Sequence, residues 1–378
     1  MAEKKVYFPH LNGLRFIAAS MVIIPHAEQI KVHLGIPGHW GHAPAMENLG
    51  QEGVSLFFVL SGFLITYLLL AEERRAGAIS VRKFYVRRAL RIWPLYFSVI
   101  LAALFVWPHV PWLAMPDASP AQVQAHLPAK LGLYFTFFAG MVTPLLGVVP
   151  HASQTWSVGT EEQFYAIWPV LVRRVRKHRL LLMFSVVFGV TAARWLILGS
   201  HADSVPGIVV WRAFITGFQV DRMGVGGAFA VLLFAEHRVM RVLLHPVVGW
   251  LCIALVVQFL GAGSSLFHLH RSLYAPLYGL LIVQLAAGRL RLPPENRVLA
   301  YLGEISYGLY MLHTIAISLV LRGAVAVGVT SDGFVYPLIF AVTIGLAAAS
   351  YRWLETPFLR WKSAFTVVPS GAVHTRPS

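Results

Sequence analysis

Apolar runs of about twenty residues, separated by short basic loops, set the pattern of the chain. The runs fall at about 11–32, 51–71, 92–107, 180–198, 223–235, 246–261, 272–288, 300–321 and 334–353. Most are long enough to cross a hydrocarbon core of about 30 Å as helices, which satisfy their own backbone in lipid. The stretch 130–172 is harder to divide. It holds two apolar pieces, 131–149, broken by Gly140, Pro144 and Gly147, and 161–172. As a helix the second covers only about 18 Å, too short for a full span. One of the two is therefore expected to be re-entrant or to lie against other helices. The pattern predicts an all-α polytopic membrane bundle of about ten transmembrane helices plus one re-entrant or half-length segment.

Charge orients the bundle. The most basic loop, EERRAGAISVRKFYVRRALR, follows the second run, and the positive-inside rule puts it in the cytoplasm. Lys4 and Lys5 at the N-terminus then lie inside too. So do the clusters Arg173, Arg174, Arg176 and Lys177; Arg238 and Arg241; Arg289, Arg291 and Arg297; and Arg360 and Lys362. Both termini are expected in the cytoplasm. The core domain is read as 7–355, with 356–378 as a cytoplasmic tail disordered from about Ser363.

Composition agrees: 57% of residues are hydrophobic and only 12% charged. The net charge of +15 would suggest nucleic acid in a soluble protein, but here it sits in interhelical loops, so topology explains it and no nucleic acid is expected. Cys252 is the only cysteine, which excludes an intrachain disulfide and a cysteine metal cluster. The first run is long, carries Arg15 and His26, and lacks a small-residue cleavage site; it is read as a retained span rather than a signal peptide. No Walker loop, dinucleotide fingerprint or zinc signature is present.

Three stretches carry candidate chemistry. In the first run, eleven residues separate Arg15 from His26, which returns the histidine to within about 20° of the same helix face, roughly 16 Å along the axis. Ala19 and Val22 fill the face between, and Pro25 removes a backbone donor just before the histidine. Ionisable groups at membrane depth mark functional pathways; the plainer reading is that Arg15 and His26 each reach an opposite interface. His26 is a ready general base for a hydroxyl acceptor. In FYVRRALRIWPLYF, Arg88 and Arg91 share a helix face, with Arg87 four residues from Arg91. Guanidiniums grip phosphates in a bidentate manner; ordinary contact with lipid headgroups is the alternative. In TWSVGTEEQFYAIWP, Thr160 and Gln163 fit a capping box, with Glu161 and Glu162 in the first turn. Two carboxylates beside Ser157 exceed what a cap needs, and one is expected to orient His26. Asp221, Arg222, Glu304, Ser306, Tyr307, His313 and Glu355 are read as structural or interfacial.

Taken in order, these motifs resemble acyltransferase family 3, the bacterial and eukaryotic integral-membrane O-acyltransferases. NGLRFIAASMVIIPH is similar to the family's Arg-x10-His first helix, and GVSLFFVLSGFLIT to its second-helix signature, with Ser61 and Gly62. RALR matches its Arg-x-x-Arg element, SVGTEEQFY its Ser-x-x-x-Glu-Glu-x-Phe-Tyr element, and ISYGLYMLH and LETPF its closing helices. The resemblance implies transfer of an acyl group, commonly acetyl from acetyl-CoA, to a hydroxyl of a surface glycan or secreted glycoside. It implies catalytic roles for His26, Glu161, Glu162, Ser157 and Arg15, donor binding by Arg87, Arg88 and Arg91, and no metal. The chain ends soon after the last span, so the fused extracytoplasmic domain of some relatives is not expected. That form favours a multi-pass protein of the bacterial inner membrane. A transporter or flippase, its path lined by the intramembrane Arg, His and Glu, is the rival reading; the absence of an internal repeat counts against it.

Overall fold

A computed structural model describes residues 6–8, 10–38, 40, 43–116, 118–199, 207–262, 269–290, 292 and 295–369. Lys4, Lys5, Arg291 and tail residues 370–378 lie outside the described residues. The elements of the described residues are helices, with an isolated bridge from Met115 to Ala118. Three long helices lead: α1 (Leu11–His33), α2 (Pro44–Ala76) and α3 (Val81–Phe105). Short helices α4 (Pro120–Gln124), α5 (Leu127–Phe135) and α6 (Val142–Leu146) follow, then α7 (Thr155–Arg174), α8 (Arg179–Gly199), α9 (Ile208–Gly217) and α10 (Val220–Phe234). The last third contains α11 (Met240–Leu243), α12 (Pro246–Ala262), α13 (Leu269–Ala286), α14 (Arg297–Glu304), α15 (Ser306–Ala326), α16 (Asp332–Ser350) and α17 (Thr356–Ser363). Among the described residues, five helical stretches are long and apolar enough to cross a membrane: Asn48–Ala76, Val81–His109, Arg179–Gly199, Ser306–Ala326 and Asp332–Ser363.

Three sequence expectations change in the middle and at the end of the chain. The piece 161–172 is not half-length; it is the body of α7, which starts six residues earlier and runs for 20 residues, about 30 Å. The broken piece is 131–149. Its α5 stops at Phe135, Phe137 takes a left-handed φ of 63°, and a turn of 3-10 helix precedes α6. Its backbone is met by α7: Gln163 Nε2 donates to the Phe137 carbonyl at 2.8 Å. With α7 starting at Thr155, the expected cap at Thr160 does not form, and the carboxylates leave the first turn. The Thr160 hydroxyl donates instead to the carbonyls of Trp156 and Gly217. The run 300–321 is two helices, α14 and α15, divided at Ile305. After the last long run, α16 passes through a π-turn at Tyr351–Glu355 into α17, which packs on α3 and ends at Ser363.

α2 is the hub of the bundle, packing on α1, α7, α10, α12 and α13. Its crossing with α10 is nearly backbone on backbone. A Cβ on Gly62 would lie 2.0 Å from the Met223 carbonyl oxygen, and one on Gly226 would lie 2.0 Å from that of Val59. With no hydrophobic force between helices in lipid, such close contact between small residues supplies the dispersion that holds them. At the far end of α1 a buried ionic cluster ties it to α16. The Lys31 ammonium, wholly buried, lies 2.7 Å from Glu28 Oε1 and 2.5 Å from Asp332 Oδ1, and Tyr336 donates to Glu28 at 2.5 Å. Asp221 pairs with Arg194 rather than its neighbour, and Arg222 donates to Ser55.

The crossing yields a stability prediction. Gly226→Leu must force α2 and α10 apart, and overpacking of this kind costs about 1–3 kcal/mol. Its melting temperature in detergent should fall by several degrees. Gly189→Leu on α8, where a Cβ meets nothing within 4 Å, should melt as the wild type does.

Candidate active site

Helical spacing brings the arginines together. Arg88 and Arg91 are three apart on α3, and Glu161 and Tyr165 four apart on α7, so each pair presents one face. These faces meet the first turn of α1 around a cavity of about 250 Å³. Arg15, Arg88 and Arg91 supply positive charge to its wall, Lys362 adds an amine, and among the described residues Glu161 is its one carboxylate. Ser61, Ser157, Tyr165, Tyr307 and Tyr310 add hydroxyls; Val54, Phe57, Phe58 and Ile65 make an apolar side.

Each polar group is held. Arg15 Nη1 donates to Asn12 Oδ1 at 3.1 Å. Ser61 and Tyr165 share a 2.5 Å hydrogen bond beside Glu161. Ser157 and Tyr310 hydroxyls are 2.7 Å apart, and Tyr310 donates to the Gln154 carbonyl at 2.8 Å. Tyr307 donates to the Ile92 carbonyl. Arg88 and Arg91 differ: neither has an ion-pair partner among the described residues, and Arg88 Nε is buried without a hydrogen-bond partner there. The chain ahead of α1 crosses the cavity, where Tyr7 donates to Glu295 Oε2 at 2.8 Å. Burial and that carboxylate push the Tyr7 phenol up to about 12, so it stays a donor at neutral pH.

The geometry separates the sequence candidates. Arg15, Arg88, Arg91, Glu161 and Ser157 converge on the cavity. Arg87 does not; its guanidinium pairs with the buried Glu72 at 2.8 Å and donates to the Phe365 carbonyl. Glu162 does not either, because neighbours on a helix point about 100° apart. It accepts from Trp93 Nε1 at 3.0 Å.

His26 lies away from the cavity wall and keeps part of its surface exposed elsewhere. Its Nδ1 is 2.8 Å from the Val22 carbonyl oxygen, and its ring packs edge-on against His313, centroids 4.9 Å apart. The expected carboxylate partner is replaced by a second imidazole. Tyr310 links the two regions: it lines the cavity, and its ring lies 5.9 Å from that of His313. Sequence reasoning gave Ser306, Tyr307 and His313 structural roles and took Lys362 as a loop charge. All except His313 line the cavity. The only signal for them was polar spacing on α15; that α15 and α17 face α1 and α3 is a tertiary fact.

Residues 8–353 match a family model described as an acyltransferase domain. The chain is 23% identical over 372 residues to the peptidoglycan O-acetyltransferase OatA of Listeria monocytogenes, a match covering 93% of this chain and 56% of OatA. It is 25% identical over 371 residues to nodulation protein 10 of Rhizobium leguminosarum, covering 93% of each. The chain thus spans little more than half the length of OatA. No solved structure matches. With nearly its whole length matched and the arginine, serine and glutamate motifs gathered on one cavity, the chain belongs to acyltransferase family 3.

Proposed function

We propose that the protein moves an acyl group, acetyl by preference, from acyl-CoA to a hydroxyl of a surface glycan or glycoside. The observation that carries this reading is the cavity with, among the described residues, three guanidiniums, an amine and one carboxylate, two of the arginines lacking ion-pair partners there. Coenzyme A bears phosphates, and guanidiniums bind these through paired, charge-assisted hydrogen bonds. Arg88 and Arg91 hold the phosphates, with Arg15 adding to the field and Lys362 offering an amine. Ser157 and Tyr310 lie along the path of the thioester.

His26 is the base, or the transient acyl carrier. A carbonyl oxygen only accepts, so the Val22 contact fixes the neutral ring with its hydrogen on Nδ1 and a lone pair on Nε2. The acceptor oxygen attacks the thioester carbon as Nε2 takes its proton; the C–S bond breaks and the sulfur leaves as thiolate, which is then protonated. Because His26 lies beyond the cavity wall, the Tyr310 side chain moves for the acyl group to reach it. Glu161 positions Arg88 and Arg15 around the donor; Glu162 steadies α3 through Trp93. The basic loops put the cavity's arginine end at the cytoplasm, in an inner-membrane protein of about ten crossings with both termini inside. The donor then enters from the cytoplasm, and the acceptor reaches the exposed part of His26 from the other side.

Thiol release from acetyl-CoA, with a de-O-acetylated glycan extract as acceptor, tests the reading. His26→Ala should lower transfer at least about 100-fold, the scale of a lost general base, with its melting temperature unchanged. Full activity would remove His26 from the mechanism. Arg88→Ala and Arg91→Ala should each raise the KM for acetyl-CoA about 10-fold, the worth of one charged hydrogen bond. Arg87→Ala should leave that KM alone and instead destabilise the fold by about 3–5 kcal/mol, because it strands the buried Glu72.

A further inference from the structure

Behind Tyr310, two imidazoles meet inside the bundle. His313 on α15 is fully buried, and its ring stands edge-on to that of His26 at 74° with centroids 4.9 Å apart. Its Nδ1 lies 2.6 Å from the Tyr310 carbonyl oxygen. As at Val22, a carbonyl can only accept, so the hydrogen of the neutral His313 ring sits on Nδ1. The other nitrogen, Nε2, is a lone pair, and it is buried with no hydrogen-bond partner among the described residues. An unmet buried acceptor costs about 1–3 kcal/mol, and a leucine would fill the same space without that cost. The two rings thus make a matched pair: each has its Nδ1 committed to a carbonyl of its own helix, and each has an open Nε2. Together they lack one proton.

We propose that His313 is the proton-sharing partner of His26, a positioning residue that acts through it in the transfer reaction. The inference rests on the reading of His26 as the base. In the step, the acceptor oxygen bonds to the acyl carbon, the C–S bond breaks, and its electron pair leaves on sulfur. The hydroxyl proton moves to His26 Nε2. Once the proton has been taken, Nδ1–H of the imidazolium stays on the Val22 carbonyl and Nε2–H donates to His313 Nε2, which spreads the charge over two rings in a site where an isolated cation is poorly solvated. The proton then goes to the thiolate, which leaves as the free thiol of coenzyme A, and both rings return to their starting tautomers. In other triads a carboxylate accepts from the nitrogen turned away from the substrate; here the Val22 carbonyl holds that nitrogen, and His313 receives the N–H that took the substrate proton, without adding fixed negative charge at membrane depth.

The test uses the full chain in lipid nanodiscs, with acetyl-CoA and the de-O-acetylated glycan extract, and compares His313→Leu, His313→Gln and His26→Ala. His313→Leu should lower kcat about 100-fold with the KM for acetyl-CoA unchanged and the melting temperature equal or higher. His313→Gln, whose side-chain oxygen can accept from His26, should recover about 10-fold of that loss. Wild-type kcat in His313→Leu overturns the proposal, as does a fall in kcat matched by a rise in KM or an equal loss in both variants. If the leucine variant cannot be purified, His313→Gln decides alone: kcat about 10-fold below wild type supports the pair, and wild-type kcat overturns it. His26→Ala separates the two claims. Activity in that variant removes the base itself; an inactive His26→Ala beside a fully active His313→Leu removes only the partner.

Discussion

Positive charge at membrane depth is the constraint that orders this protein. An arginine within an apolar bundle is costly wherever it goes, and the cost falls only where water, a carboxylate or an anionic ligand can reach it. Arg15, Arg88 and Arg91 come from two helices and solve the problem together by opening on one cavity. Glu161 offsets part of their charge, and the rest is left for a ligand. The surrounding architecture serves that arrangement. α2 crosses α10 closely enough to exclude side chains, the Lys31 cluster pins the far end of α1, and α17 folds back on α3 to add Lys362 to the wall.

Two unmet polar atoms stand at or near the cavity. Arg88 Nε on the cavity wall and His313 Nε2 behind Tyr310 are each buried without a hydrogen-bond partner among the described residues; others, such as Tyr278 Oη, Gln284 Oε1 and Ser318 Oγ, lie elsewhere in the bundle. Buried polar groups left open are tolerated where a substrate or proton will use them. Tyr310 stands between the two halves of the site. Its hydroxyl faces Ser157 at the cavity, and its carbonyl fixes the tautomer of His313 behind.

Periodicity made part of this legible in the sequence. Arg88 with Arg91, and Arg15 one face along α1, follow from 3.6 residues per turn, and both arginine elements reach the cavity as that spacing requires. The same rule could not separate Glu161 from Glu162, because adjacent residues diverge and only the neighbouring helix says which one faces inward. Arg87 turns from the cavity for a similar reason: its partner, Glu72, sits on α2, and no local pattern reports it. The cap expected at Thr160 was lost because α7 begins at Thr155; the irregular backbone before it takes Gln163 as a partner, and Thr160 donates to the Gly217 carbonyl at the end of α9. His313 carried no local signal for its role. It depends on α15 lying against α1, a contact between distant parts of the chain.

The most direct measurement is a structure of the full chain in nanodiscs with a non-hydrolysable acetyl-CoA analogue. The account predicts phosphate oxygens within hydrogen-bond distance of Arg88 and Arg91, and the thioester end beside Ser157 and Tyr310. An analogue bound at any other surface, with the arginine cavity filled by lipid or water, would contradict it.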